Sequence, residues 1–130
     1  MPGGLEGCKS TEVKTPAYRE AYRRLGWDFR HGSLESGGET AREAGLRFLA
    51  AMNMIADRMA GGATGLVFGH GQAIRYGLGA ALGFPDIKEW DAKYRLDNCE
   101  TLIARRSTKR QWQIVGRIAA PIVVPTAVRR

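Results

Sequence analysis

Apolar side chains recur at three- and four-residue steps from Ala41 through Ala44, Phe48, Met52 and Ile55 to Met59, and the stripe stops at Gly61-Gly62. That spacing predicts an amphipathic helix. Ser36-Gly37-Gly38-Glu39 just before it has the spacing of a capping box, a hydroxyl for the N3 amide and a carboxylate returning to the cap amide. Such a helix must pack on a sheet or on another helix, and its methionines read as core packing before they read as a cofactor groove. A shorter helix is predicted over residues 16–25, with Pro16 in its first turn, Tyr18, Tyr22 and Leu25 on one face and Gly26 as the stop. Thr64-Gly65-Leu66-Val67-Phe68 is too short for a helix and reads as a buried parallel strand. After Gly69-His70-Gly71 the helical period returns over residues 72–82, with Ile74, Leu78, Ala81 and Leu82 on one face and Gly83 behind them. Residues 100–105 and 111–118 read as two strands joined by the polar turn Arg106-Ser107-Thr108-Lys109-Arg110. Helix, strand, turn and helix in that order predict an α/β layer fold closed by a C-terminal hairpin.

At 130 residues the chain is sized for one modest domain. The expected organisation is a loose Gly-rich segment over residues 1–15, a domain over 16–118, and a tail over 119–130 broken by Pro121 and Pro125. With 44% hydrophobic and 25% charged residues, the composition excludes disordered, collagen-like and coiled-coil classes. The net charge of +7 permits phosphate-rich partners without requiring them. The cluster Arg105, Arg106, Lys109 and Arg110 reads as a solvated hairpin tip. The basic residues are not interleaved with aromatics, Trp112 apart, so nucleic acid is the least favoured partner. No apolar run reaches the ~20 residues of a membrane span, and the N-terminus has no signal-peptide pattern. A cytoplasmic address is expected, with Cys8 and Cys99 as ordinary reduced thiols. No metal-ligand spacing occurs, and no cofactor is expected.

Chemistry concentrates in Val67-Phe68-Gly69-His70-Gly71-Gln72-Ala73-Ile74-Arg75. A strand end, a glycine turn and a helix start present unpaired amides at the positive end of a helix dipole, which suits an anion. The amides of Gly71 and Gln72 can point at phosphate oxygens while the His70 imidazole adds a donor or a charge. Arg75, one turn on, reads equally as a phosphate ligand or a solvent-facing cation. Asn98 reads as a hydrogen-bonding support for the turn near His70 or as a plain turn residue. Trp90 and Trp112 read as packing residues.

Gly38-Glu39-Thr40, Gly69-His70-Gly71, Ile74-Arg75, Trp90, Leu96-Asp97-Asn98-Cys99 and the Trp112 hairpin resemble, in order and spacing over about residues 36–118, the histidine phosphatase superfamily, which is phosphoglycerate-mutase-like. Thr40 stands where the family commonly has Ser, and so does Gly69. Leu5-Glu6-Gly7 echoes a Trp-Glu-Gly of the family, and Trp90 falls in its Trp-containing loop. The resemblance implies an α/β chain with a partial three-layer fold. Its small sheet would join the Leu66 strand to the C-terminal hairpin, with helices flanking it. It also implies that His70 is the family's second, phosphate-binding histidine in a reaction that passes through a phosphohistidine.

The family's nucleophile, an Arg-His-Gly at the end of a first strand, would lie upstream of Met1, as would one arginine and the acid carboxylate. Arg30-His31-Gly32 repeats the three letters but sits in a loop, so His31 is expected to be a loop histidine and Glu35 a solvated loop carboxylate, with Glu39 engaged in capping. The expectation is a truncated or degenerate member that binds phosphate or phosphomonoesters. It would act as a phosphomonoester hydrolase or phosphomutase only if a complementing N-terminal half supplies the nucleophile. Without that half, a strand edge and apolar helix faces should stand open. Two other readings remain: an assembly module pairing through that edge, as a homo-oligomer for instance, and a basic nucleic-acid-binding protein.

Overall fold

Helix α1, Pro16–Leu25, starts at a proline whose missing N–H costs nothing in a first turn, and Arg23 and Arg24 sit favourably in its last. Gly26, at φ +56°, ends it and opens a single 3-10 turn, Gly26–Asp28. The computed structural model describes residues 16–30 and 38–119. Tyr18 and Tyr22 of α1 meet the Phe29 ring edge-on at 4.9 and 5.4 Å, and Phe29 is buried to 1% exposure. Arg30 and Thr40 form an isolated antiparallel bridge, and the Arg30 guanidinium donates to the Gly38 carbonyl, so the chain on either side of residues 31–37 is tied together.

Helix α2, Ala41–Arg58, carries the expected apolar stripe but starts from a different cap. Thr40 is the cap: its hydroxyl accepts from the Glu43 amide at 3.0 Å, and the Glu43 carboxylate accepts from the Thr40 amide at 3.1 Å. The capping role expected of Glu39 is corrected accordingly. Glu39 instead takes two hydrogen bonds from the Arg47 guanidinium, each 3.0 Å. Ser36 and Gly37, with His31 and Glu35, lie outside the described residues. The helix also ends earlier than the glycine pair, at Arg58, with Met59 already extended.

Helix α3, Gly71–Ala81, packs along α2 at unusually close range. Gly45 makes room for the Tyr76 carbonyl and Gly77 for the Phe48 ring, so two glycines rather than side-chain size set that approach, while Gly79 makes room for the Trp27 indole of the 3-10 turn. Tyr76, Leu78, Ala80, Trp27 and Ala41 form the core there. Gly83, at φ +83°, terminates the helix as expected.

Helix α4, Ile87–Tyr94, replaces the loop expected around Trp90. The Asp86 carboxylate accepts from the amides of Lys88 and Glu89, and Ile87 and Trp90 are buried three residues apart. The short 87–94 pattern, separated from Pro85 only by the Asp86 cap, holds these signals in little more than two turns.

The strand expected at Leu66-Val67-Phe68 does not form. These residues belong to no ladder, and Leu66 and Phe68 are 72% and 86% exposed. An apolar run says what can be buried, whereas a strand also needs a neighbour for its amides and carbonyls, and among the described residues no strand pairs with this one. Apolar positions on α2 also stand exposed, among them Leu46, Met54 and Ile55.

By contact the chain divides into two units, Met1–Arg95, which holds the four described helices, and Leu96–Arg130, which holds an antiparallel hairpin. Strands β1, Thr101–Arg106, and β2, Trp112–Ile118, lie within a residue of their expected bounds, with a bulge between Ile103 and Ala104. Arg110 closes the turn at φ +62°, and the Ser107 amide and hydroxyl both bond the Gln111 backbone. Among the described residues the hairpin is the whole of the sheet, which corrects the expectation that the Leu66 segment joins it. At its base the Arg117 guanidinium and the Asp97 amide hold the Glu100 carboxyl down to about 2. The chain is mixed α/β.

Candidate active site

The backbone of His70 is extended, at φ −82° and ψ 141°, and His70 is the N-cap residue of α3. Its carbonyl accepts from the Ile74 amide at 3.0 Å, which commits it to the helix, while its side chain makes no capping hydrogen bond and stands exposed. The next amides, those of Gly71, Gln72 and Ala73, are in the first turn and have no acceptor within the helix. An exposed imidazole therefore borders a row of amide donors at the positive end of a helix dipole, where an oxyanion is favoured. A Cβ at Gly69 would sit in ordinary contact with Ile74 and Phe48, at 3.5 and 3.7 Å, so a larger residue has room there.

One turn further along, α3 is fastened on another side. The Arg75 guanidinium Nε lies 2.9 Å from Asp91 Oδ1 of α4, a close ionic contact off the line of a good hydrogen bond. The other Asp91 oxygen accepts from the Tyr22 hydroxyl of α1. Burial, reinforced by the bond to the Asp91 carboxylate, pushes the Tyr22 phenol well above its ordinary value, so it stays a donor. Trp90 Nε1 donates to the Arg75 carbonyl at 2.8 Å. Burial likewise raises the Tyr76 phenol, whose oxygen accepts from the Gln72 side-chain Nε2 at 2.9 Å. An open depression of about 500 Å³ lies here, lined by Arg75, Asp91, Ala92 and Arg95, and His70 is not among its described lining residues.

A family model described as histidine phosphatase superfamily, branch 1, matches residues 2–118. The chain belongs to the histidine phosphatase superfamily. No curated protein and no solved structure matches it.

Within that superfamily frame, the structure brings His70, Gly71 and Gln72 together at one helix start. Arg75 is directed elsewhere: its ion pair is with Asp91, and no hydrogen bond or ion pair joins it to His70. Asn98 is exposed in the turn at residues 98–99 of the other unit, beside Cys99, an exposed free thiol at φ +66°. Trp90 is buried, as a packing residue should be, and Trp112 has the Arg106 guanidinium 5.9 Å over its ring. Asp91 was not singled out by sequence, and Tyr22 was read only as a residue on one face of its helix. The signal for Asp91 was available only once 87–94 is drawn as a helix, which places Asp91 against α3 and α1. Among the described residues no cluster of His, Cys, Asp and Glu is arranged for a metal ion, and no helix is long and apolar enough to cross a membrane.

Proposed function

We propose that this superfamily member binds the phosphoryl group of a phosphomonoester at the start of α3, with the His70 imidazole and the amides of Gly71 and Gln72 as its ligands. The observation that carries this reading is the exposed His70 side chain, which makes no capping hydrogen bond and has no hydrogen-bond partner among the described residues, at the cap of a helix whose first amides are free of helical acceptors. A phosphohistidine route needs an attacking imidazole beside that site, and the chain has two histidines in all. His70 is taken up as the oxygen ligand, and His31, which lies outside the described residues, is preceded in the chain by the 3-10 turn Gly26–Asp28 rather than by a strand. On this reading residues 1–130 supply the phosphate site, and a hydrolase or phosphomutase activity requires a nucleophile from a complementing segment or chain.

Titration calorimetry with inorganic phosphate and phenyl phosphate, beside an assay on p-nitrophenyl phosphate, tests this. His70→Ala is expected to weaken phosphate binding about tenfold or more, a loss of ~1.4 kcal/mol, with no turnover in either protein. Equal affinity in the two proteins would place the anion elsewhere. Turnover that disappears on His31→Ala would make His31 the nucleophile.

The exposed Leu66-Val67-Phe68 run supports a second reading, an assembly module in which a second copy of this chain pairs along that segment. Light scattering after size exclusion separates the two, since a monomer across the micromolar range excludes self-pairing.

A further inference from the structure

We propose that Arg75 and Asp91 act as positioning residues, an ionic clasp that sets how α3 is seated and thereby how His70 and the amides of residues 71–73 face solvent. In an α-helix the five steps from His70 to Arg75 advance about 7.5 Å and turn about 140°. Holding Arg75 against α4 therefore turns the N-terminal cap away from that contact. Two atoms of Arg75 are engaged at once. The guanidinium meets Asp91, and the carbonyl accepts from Trp90. Asp91 is engaged from two sides as well, by Arg75 of α3 and by Tyr22 of α1, so one carboxylate joins three helices.

The Arg75 side chain is only 14% exposed and that of Asp91 26%. An ion pair so withdrawn from water contributes little net stability over an apolar pair of similar volume, and the role that remains to it is to specify one arrangement. The opposite side of α3 cannot do this alone, because its contact with α2 runs through Gly45 and Gly77, which supply closeness but no directional bond.

The test removes both charges together. Arg75→Met with Asp91→Asn avoids stranding a half-buried charge and keeps an acceptor for Tyr22, so the protein is expected to melt within about 5 °C of the parent. Its amides at residues 71–73 should nonetheless exchange faster with deuterium, its His70 ring resonances should shift, and inorganic phosphate should bind about fivefold more weakly. Tyr22→Phe, which deletes one hydroxyl, should move the same amides in the same direction by less, and it serves if the double variant does not fold. Arg75→Lys, which keeps the ion pair, should restore most of the parent behaviour. Parent-like exchange and ring shifts in the double variant, or in Tyr22→Phe if the double variant is unfolded, would overturn the proposal. The affinity readout rests on the phosphate reading of His70, whereas the exchange and shift readouts do not. A parent that binds no phosphate removes that reading and leaves the clasp to be judged on the amides.

Discussion

Trp27→Ala is expected to lower the stability of the helical unit by about 3–5 kcal/mol, the usual range for deleting a buried tryptophan. Trp27 is 6% exposed and meets the Tyr76 and Phe84 rings edge-on, with centroids 5.7 and 5.1 Å away. Its indole fills the space left by Gly79, and Nε1 donates to the Pro85 carbonyl at 2.5 Å. Alanine would forfeit the packing of the 3-10 turn against α3, leave a cavity that a glycine cannot fill, and leave the Pro85 carbonyl without its donor. A small domain holds only about 5–15 kcal/mol in total, so the variant should lose a large fraction of its stability and unfold at a clearly lower urea concentration than the parent. Urea unfolding followed by far-UV circular dichroism measures this. Trp27→Phe should fall between the two, because it keeps ring contacts and loses the hydrogen bond. A midpoint change equivalent to less than about 1 kcal/mol for the alanine variant would mean that the indole does not anchor the turn.

How much of this was legible in the sequence depended on how local each determinant is. The α1 boundaries, the apolar stripe of α2, the start of α3 after Gly69-His70-Gly71 and the hairpin all rest on signals within a few residues of where they act, and these features agree with the structure to within a few residues. The α2 cap shows the limit of a local rule. Ser36…Glu39 and Thr40…Glu43 have identical spacing four residues apart, and what distinguishes them is the pairing of Thr40 with Arg30, which is a contact across a loop. The Leu66 segment failed for a stronger version of the same reason, since its strand character depended on a partner that composition cannot name. Helix α4 was missed because its Asp86 cap follows Phe84 and Pro85, and the expectation of a loop there discouraged a helix of only 8 residues.

The candidate site divides along the same line. The exposed cap position of His70 follows from the glycines beside it and was legible directly. The orientation of Arg75 was open between phosphate and solvent because neither reading included a carboxylate on an unrecognised helix. Once α4 exists, Arg75 has Asp91 as an ionic partner, an outcome neither reading included, and the clasp proposed above gives it a role in seating α3.

The close approach of α2 and α3 predicts opposite outcomes for one chemical change at two glycines. Glycine inside a helix costs about 0.5–1 kcal/mol relative to alanine, so Gly45→Ala on propensity alone would stabilise α2. A Cβ there would lie 2.5 Å from the Tyr76 carbonyl oxygen, 3.1 Å from its carbon and 3.3 Å from the Ala80 methyl. The obstacle is mostly backbone, which cannot rotate aside as the end of a side chain can, so α3 itself must move off. Overpacking of that kind costs about 1–3 kcal/mol, and with an immovable neighbour the upper end applies, leaving a net loss of about 2 kcal/mol. Gly61 has nothing within 4 Å of its would-be Cβ and no left-handed φ, so Gly61→Ala should be neutral or gain up to about 1 kcal/mol by restricting the unfolded chain. Paired thermal melts of the two variants measure both signs at once. If Gly45→Ala melts at or above the parent, the two helices are not in backbone contact at Gly45, and the seating of α3 beneath His70 would have to be redrawn.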